Sequence, residues 1–252
     1  MRSRIDLNCD VGESFGDWRM GADAELLPHA SSANIACGFH AGDPMVMHRT
    51  VALCVRHGVA IGAHPGWPDL QGFGRRALAA SPAEAYAFVL YQISALAGFV
   101  GAAGARLQHV KPHGALYNQA ARDRSLADAI AAAVRDVDPQ LRLYGLAGSE
   151  LQAAALAHGL QWVAEAFVER AYEPDGSLVA RSLPGAVLED PGAIESQVLG
   201  LLARGEVAVR GGGTLRVDAD TLCLHGDRAD AVALAQRLRR LLAAAGVEVS
   251  AP

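Results

Sequence analysis

Residues 107–118 read LQHVKPHGALYN, and this short stretch contains the unit that predicts the fold. Residues 107–111 alternate as a β-strand does, so every second side chain points to the same side. Three ionisable side chains share that side: His109, Lys111 and His113. Pro112 and Gly114 end the strand, and residues 115–121 are expected to begin a short helix. The lysine and the second histidine are therefore predicted at the carboxyl end of a strand.

Lys111 is the only lysine among the 22 basic residues of the chain, and the others are all arginines. An ammonium group is a compact point charge whose pKa responds to burial, whereas a guanidinium group stays charged. A chain that otherwise uses arginine, and that keeps one lysine near a histidine, suggests a site that needs such a group. Lys111 is therefore predicted to be catalytic together with His113.

The order of strand, polar strand end and helix recurs along the chain without an exact internal repeat. Strands are predicted at residues 5–11, 31–36, 59–63, 107–111, 141–146, 161–167 and 221–224. Helices are predicted at residues 44–57, 82–101, 115–121, 125–137, 149–158, 192–204 and 229–245, with a strand pair within 207–217. This alternation is typical of parallel strands with helices outside them. The prediction is one domain, residues 1–252, folded as a seven-stranded TIM-like (β/α) barrel.

Composition excludes several classes of partner. The chain has 252 residues, 51% of them hydrophobic, which is enough to bury one large core. Its net charge is -5 and it has no basic cluster, so no nucleic acid partner is expected. No membrane span is expected, because the longest apolar runs are broken by polar residues before the roughly 18 residues of a span, and the amino terminus enters a strand without a signal segment. A cytoplasmic protein with four reduced cysteines is expected.

Polar side chains stand at the carboxyl ends of at least five predicted strands. They are Asp10, His40, His64, Lys111 with His113, and His225 with Asp227. In a closed barrel these ends meet at one rim, where enzymes of this architecture have their active sites. An open doubly wound sheet would instead spread them along a line.

Residues 168–191 are turn-rich and charged, and they are too long for an ordinary connection. This stretch is predicted to be a lid or a binding loop. Its expected functional residues are Arg170, Tyr172 and Arg181.

The residues do not decide whether the chain has a metal site or a nucleotide site. Asp10, His40 and His64 would make an Asp-His-His set for a divalent metal, although no local spacing such as HExxH is present. No phosphate-binding loop is present either, because the glycine run at residues 211–213 lacks the lysine and the helix. ATP would therefore be contacted by a partner or by loop arginines: Arg75, Arg76, Arg170 and Arg181.

Eight motifs carry a resemblance to a known family: DLNCDVGES, SSANIACGFHAGDP, GVAIGAHPGWPD, FGRR, HVKPHGALYN, GLAGSEL, SLVARS and CLHGD. Together they resemble the LamB/YcsF family, which includes the A subunit of prokaryotic 5-oxoprolinase, from residue 5 to about 242. The resemblance implies a barrel similar to the polysaccharide-deacetylase type. It also implies ATP-dependent opening of the lactam of 5-oxo-L-proline to L-glutamate, in complex with the B and C subunits. Glu169 departs from the family pattern, which has Asp there, while Arg170 and Tyr172 carry over.

A mechanism consistent with these residues assigns each a role. Asp10 or Glu13, with His64, is expected to orient and deprotonate water. Lys111 and His113 are expected to stabilise charge on the carbonyl oxygen or its phosphate. The residues expected to contact substrate are Asn8, His40, Arg75, Asn118, Arg170, Tyr172, Arg181, His225 and Asp227, the last two as an oriented acid pair.

Two other functions stay open at this point. One is a metal-dependent deacetylase or amidohydrolase that acts alone, which would lose activity to a chelator without any need for ATP. The other is a non-catalytic subunit that binds 5-oxoproline for its partners. The sequence also leaves open a homo-oligomer.

Overall fold

Seven parallel strands close into a barrel in the computed structural model, which describes residues 2–252. The described residues form ten strands: β1 (Arg4–Val11), β2 (Ser32–Ala36), β3 (Ala60–His64), β4 (Leu107–Val110), β5 (Arg142–Leu146), β6 (Gln161–Phe167), β7 (Glu206–Ala208), β8 (Thr214–Arg216), β9 (Thr221–His225) and β10 (Glu248–Val249). The seven strands of the barrel are β1 to β6 and β9. Strands β1 to β6 pair in chain order, and β9 pairs with both β6 and β1. The predicted seven-stranded barrel is confirmed.

Helices surround the barrel between successive strands. They are α1 (Asp23–Leu26), α2 (Pro44–His57), α3 (Pro82–Ala102), α4 (Gly114–Ala120), α5 (Arg124–Val137), α6 (Glu150–Ala157), α7 (Pro191–Arg204) and α8 (Ala231–Ala244). A short 3-10 turn, Leu27–His29, follows α1. Strands β7 and β8 form a small antiparallel hairpin outside the barrel, and β10 pairs with the start of β1.

Helix boundaries follow the capping signals in the sequence. The Asp43 side chain accepts hydrogen bonds from the backbone N–H groups of Met45 and Val46, which begins α2, and Gly58 ends it with φ 66°. Ser81 and Glu84 form a reciprocal capping box that begins α3. These signals explain why the predicted helix bounds lie within one or two residues of the observed ones.

Three short elements were missed by the sequence prediction: α1, the 3-10 turn and β10. None spans more than four residues, so none carries enough periodicity to be recognised. Met1, which falls within the predicted domain, lies outside the described residues.

Helix α3 corrects the expectation that no segment is apolar enough to span a membrane. It has 21 residues and a window of mean hydropathy 1.5, which meets the length and composition of a membrane span. In the structure one of its faces packs on the barrel, and the buried Gln92 on that face donates to the carbonyls of Gly66 and Phe88. The expectation failed because the few polar residues of this helix, such as Gln92 and Ser94, do not offset so many apolar ones.

Alternation along β1 positions the interior of the barrel. Ile5, Leu7 and the next two alternate residues lie in the apolar layer beneath the helices. Asp6, Asn8 and Asp10 point into the barrel, where each contacts residues of other strands. The interior of the barrel is therefore polar from the middle of β1 to its carboxyl end.

Candidate active site at the mouth of the barrel

A layer of hydrogen-bonded polar side chains fills the lower interior of the barrel. This lower layer consists of Asp6, Asn8, Asn34, His109, Glu165 and Thr221, all of them buried. Thr221 Oγ1 donates to Asp6 Oδ2 at 2.6 Å and accepts from Asn8 Nδ2 at 2.8 Å. Asp6 Oδ1 accepts from the hydroxyls of Ser31 and Ser32. Because these atoms satisfy one another, the lower layer is a fixed support.

Asn34 links this support to the functional residues above it. Its Nδ2 donates to Asn8 Oδ1 at 2.7 Å and to Asp10 Oδ1 at 2.8 Å, and its Oδ1 accepts from His109 Nε2 at 2.8 Å. His109 stacks on Tyr144 with ring centroids 4.2 Å apart. Burial and the nearby Lys111 lower the pKa of His109 to about 3, so this ring is neutral.

Lys111 stands on the lower layer and is only 2% exposed. Its Nζ lies 2.9 Å from Asp10 Oδ1 and 2.8 Å from Glu165 Oε1, and it donates to Cys223 Sγ at 3.0 Å. Burial acts to lower the pKa of Lys111, but Asp10, Cys223 and Glu165 outweigh it and raise that pKa well above its ordinary value. Lys111 is therefore a fixed cation.

Glu165 was not predicted from the sequence. Its Oε1 contacts Lys111 and accepts from Asn8 Nδ2, while its Oε2 accepts from the hydroxyl of Tyr117 at 2.8 Å. The available signal was a carboxylate at an inward position of an otherwise apolar strand, β6. A charge in such a place needs a buried partner, and Lys111 is that partner.

Asp10 and His64 form the next contact towards the mouth of the barrel. The Nδ1–H of His64 donates to the Lys111 carbonyl at 2.7 Å, which leaves His64 Nε2 facing Asp10 Oδ2 at 3.4 Å. Burial acts to raise the pKa of Asp10, but the charges of His64 and Lys111 outweigh it and hold that pKa well below its ordinary value. Asp10 is therefore ionised, with one oxygen on Lys111 and the other on the histidine side.

Three histidine rings pack together above Asp10, and we call His40, His64 and His113 the histidine cluster. His40 and His113 stack with centroids 3.8 Å apart and planes 2° apart, and both rings stand nearly perpendicular to His64. Burial lowers the pKa of His40 and of His113 well below the ordinary value, with the neighbouring imidazoles adding to the effect. Within residues 2–252 four of their buried nitrogens have no hydrogen-bond partner: His40 Nδ1, His40 Nε2, His64 Nε2 and His113 Nδ1.

Glu13 lies against this cluster, with its Oε1 3.9 Å from His113 Nε2. Burial and the charge of Asp10 raise the pKa of Glu13 well above its ordinary value. At 3.9 Å the two groups are too far apart for a hydrogen bond, so they make a polar contact only. Glu13, His64 and His113 each offer a ligand atom within 4.8 Å of the other two.

The metal set considered from the sequence, Asp10 with His40 and His64, is not one of the ligand groups in the described part of the chain. His40 is displaced from it because its ring is stacked face to face on His113. Spacing along the sequence could not reveal this arrangement. The two groups that do converge are Glu13 with His64 and His113, and Asp10 with Cys223 and His225.

The predicted pairing of His225 with Asp227 is also wrong. His225 Nδ1 instead bonds Glu169 Oε1, and its ring stacks on Phe167. Asp227 Oδ2 accepts from Arg75 Nη2 at 2.6 Å. Glu169 thus has a role that the sequence left in doubt, since it holds the histidine above Asp10, at 3.9 Å between His225 Nε2 and Asp10 Oδ2.

A cavity of about 440 Å³ opens above these groups. Asp10, His64, Lys111, His113 and His225 line its inner end. Four arginines line it as well: Arg75, Arg122, Arg170 and Arg181. The cavity therefore has cationic walls, and the ionisable side chains at its inner end can take part in proton transfer.

The arginines repel one another in the absence of an anion. Burial, with the neighbouring Arg181, lowers the pKa of Arg170 to about 10. Partial withdrawal from water, with the neighbouring Arg75, also lowers the pKa of Arg181. A ligand that carries negative charge would relieve this repulsion.

Most of the remaining predicted contact residues support the cavity from behind, and one, Asn118, lies at its outer edge. The Tyr172 hydroxyl is buried and accepts from the Phe167 N–H at 2.8 Å, so it holds the loop in place. Asn8 lies in the lower layer, beneath Lys111. Asn118 lines the outer edge of the cavity, where its Nδ2 donates to the Gly114 carbonyl. Glu13, His40 and Asp227 stand behind the lining residues.

The predicted binding loop is ordered by one of its own arginines. The Arg170 guanidinium donates to the carbonyls of Val179 and Ala186. Residues 177–182 then form one wall of the cavity. Arg170 therefore shapes this wall, and Arg181 presents its charge to the cavity.

Comparisons with known proteins agree over the whole chain. The model of the LamB/YcsF family matches residues 5–252. A Methylococcus capsulatus protein, named as the A subunit of 5-oxoprolinase, is 59% identical over 251 residues, covering 100% of this chain and 96% of that relative. A Bacillus subtilis protein of the same name is 55% identical, covering 98% and 96%. The crystal structure of a lactam utilization protein from Thermus thermophilus has 50% identity and a TM-score of 0.93, covering 99% of this chain and 100% of that one.

Proposed function

This chain belongs to the LamB/YcsF family, and from that premise we propose that it is the A subunit of a 5-oxoprolinase that opens the lactam of 5-oxo-L-proline to L-glutamate. Three relatives of that name are 54–59% identical and match almost end to end. In the proposed reaction ATP is converted to ADP and phosphate, and the B and C subunits complete the enzyme. The four free cysteines are all buried, which fits a reducing cytoplasm.

The observation that carries the proposal is the single buried lysine beneath an arginine-lined cavity. Opening a lactam by water creates negative charge on the carbonyl oxygen. Lys111 is held by Asp10 and Glu165 and stays protonated, so it cannot act as a base. It can stabilise an oxyanion or an attached phosphate, because its position is fixed before the reaction begins.

The water and the leaving nitrogen require two further groups. His64 Nε2 and Asp10 Oδ2 face each other at 3.4 Å, and together they can hold a water molecule and accept its proton. His225, oriented by Glu169, stands on the other side of Asp10 and can protonate the lactam nitrogen as the C–N bond breaks. The products of these proton transfers are a carboxylate and an amine, as in glutamate.

The arginines match the charge of the substrates. 5-Oxoproline carries a carboxylate, and Arg181 and Arg75 are placed on the cavity wall to bind it. The phosphates of ATP are the other anions of the reaction, and Arg122 and Arg170 line the same cavity. We place the phosphoryl transfer at or near this cavity, with the partner subunits supplying the rest of the nucleotide site.

Replacement of Lys111 tests the proposal. Purified chain is combined with the two partner subunits, and glutamate and phosphate are measured in a coupled assay. Lys111→Ala should lower lactam opening by about 100-fold or more, as expected for removal of a charge that stabilises the transition state. Lys111→Arg should also lower it, because a planar guanidinium is not equivalent to a compact ammonium in this buried place. Lys111→Arg retains a positive charge and therefore tests the need for a compact ammonium.

Arg106→Ala is the matched control, because Arg106 is an exposed basic residue just before β4, on the side of the barrel away from the mouth. It should keep the full rate. Thermal unfolding checks that each variant is folded. Full activity in a folded Lys111→Arg variant would contradict the proposed role of the ammonium.

A further inference from the structure

The group Glu13, His64 and His113 has a property that lactam opening by the residues described above does not use. Their ligand atoms all lie within 4.8 Å of one another, and all three residues are buried. The measured pair, His113 Nε2 and Glu13 Oε1, is 3.9 Å apart. Two ligands of one zinc ion, each about 2.0–2.2 Å from it, lie roughly 3.4 Å apart in tetrahedral geometry. The His113–Glu13 pair would have to close by roughly 0.5 Å to meet this spacing, and no pair in the group by more than roughly 1.4 Å.

His64 is oriented as a metal ligand is. Its Nδ1–H donates to the backbone carbonyl of Lys111 at 2.7 Å. This hydrogen bond requires the proton on Nδ1, so in the neutral ring the lone pair is on Nε2, which has no hydrogen-bond partner among the described residues and lies 3.4 Å from Asp10 Oδ2. In metal sites the histidine ligands usually hold their other ring nitrogen in this way.

The unpaired nitrogens are the second, independent observation. Leaving a buried polar atom without a partner is destabilising, and within residues 2–252 four such atoms occur in the histidine cluster. His40 is completely buried and neither of its ring nitrogens has a partner. One of the four, His64 Nε2, belongs to a proposed ligand, and a bound ion would give that buried lone pair a partner. The other three, on His40 and at His113 Nδ1, are unpaired atoms beside the group and not ligand atoms placed against Glu13.

The other converging group is a weaker candidate. Asp10 and Cys223 lie 2.9 and 3.0 Å from the Lys111 ammonium, so their lone pairs already interact with a cation. His225 in that group is held by Glu169. A second cation placed there would be repelled by the ammonium. The group of Glu13, His64 and His113 has no basic side chain in hydrogen-bond contact with its ligand atoms among the described residues.

We propose that Glu13, His64 and His113 bind one divalent transition-metal ion, such as Zn²⁺ or Mn²⁺, at the mouth of the barrel. Two imidazoles and one carboxylate are a common ligand set for these ions. Asp10 Oδ2, 3.4 Å from His64 Nε2, is the adjacent carboxylate oxygen. The effect of the ion on catalysis rests on the proposed function, in which His64 would then hold the ion and Asp10 alone would take the proton from water. Binding of the ion does not depend on that function.

Metal binding by the isolated chain tests the proposal without any assay of activity. The full-length protein is stripped with a chelator and titrated calorimetrically with Zn²⁺ and, separately, Mn²⁺. At least one of them should bind with a stoichiometry of one ion per chain. Co²⁺ should give a visible absorption spectrum, which reports histidine and carboxylate coordination directly.

Glu13→Gln preserves the size of the side chain and should weaken binding at least tenfold. His113→Asn should do the same. His57→Gln is the matched control, since His57 is an exposed histidine at the end of α2, and it should bind as the wild type does. Circular dichroism checks that the variants are folded.

Two results would overturn the proposal. One is a folded wild-type chain that binds neither Zn²⁺ nor Mn²⁺ at one equivalent. The other is Glu13→Gln and His113→Asn binding with unchanged affinity, which would mean an adventitious ion on the surface. The proposed function is tested separately, because a chelated complex that still opens the lactam would refute a role of the ion in the reaction and leave the reaction itself in place, whereas the titration alone decides whether the ion binds.

Discussion

The lower layer and the histidine cluster are both buried and polar, but they differ in how their hydrogen bonds are completed. In the lower layer Thr221, Asp6, Asn8 and Asn34 satisfy one another through short hydrogen bonds. In the histidine cluster four ring nitrogens have no partner within the described chain, whereas the lower layer has one, His109 Nδ1. The two regions are stacked along the same barrel axis, and of the two only the upper one lines the cavity at the mouth of the barrel.

This difference distinguishes a structural polar group from a functional one. A satisfied network rigidifies the barrel and fixes the position of Lys111. An unsatisfied cluster costs stability in the free protein and is expected to be retained for a ligand. Replacements in the lower layer should therefore mainly lower the free energy of unfolding, and replacements in the cluster should mainly lower activity.

The largest effect on stability is expected for Glu165→Gln. This change removes one of the two carboxylates that hold Lys111 and leaves the buried ammonium with Asp10 alone. We expect the free energy of unfolding to fall by about 3 kcal/mol, as for a broken buried ion pair. Urea unfolding followed by circular dichroism measures it.

Glu195→Gln is the control, since Glu195 of α7 pairs with Arg237 of α8 at the surface, where loss of an ion pair has little effect on stability. A loss for Glu165→Gln no larger than that of the control would show that the lower layer does not hold Lys111 in place.

An intermediate effect is expected for Thr221→Val, which keeps the shape of the side chain and removes its hydroxyl. Asp6 Oδ2 loses a donor and Asn8 Nδ2 loses an acceptor, both of them buried. The free energy of unfolding should fall by about 2 kcal/mol, with most of the activity kept. The comparison between the two regions would fail if activity were lost while stability stayed unchanged.

The smallest effect on stability is expected for His40→Leu. Neither ring nitrogen of His40 has a partner among the described residues, so a side chain of similar volume gives up no hydrogen bond. The free energy of unfolding should change by no more than about 1 kcal/mol, while activity should fall, because the ring that stacks on His113 is gone. The same urea experiment measures it, and a loss larger than that of Thr221→Val would show that His40 belongs with the structural groups.

Much of the barrel could be predicted from the sequence because its signals are local. The caps at Asp43 and Ser81 and the alternation along β1 each depend on residues within a few positions of one another. The recurrence of strand, polar strand end and helix then predicted a rim on which Asp10, His64 and Lys111 meet. These three residues do line one cavity.

The pairings within the site could not be predicted from the sequence. His225 bonds Glu169 and not Asp227, and Glu165 was overlooked although it contacts Lys111. Tyr172 carries over from the family pattern, yet its hydroxyl is turned away to the Phe167 backbone. Such contacts join residues far apart in the chain, so no local pattern contains them.

The sequence by itself determined which residues reach the mouth of the barrel, since strand alternation and strand ends depend on residues that are neighbours in the chain. Only the tertiary structure decided which of them are satisfied and which are not. Whether a hydrogen bond or ion pair forms depends on differences of a few tenths of an ångström in the distance between side chains on different strands. Those distances are set by closure of the barrel, which brings β9 next to β1 and places Lys111 between Asp10 and Glu165.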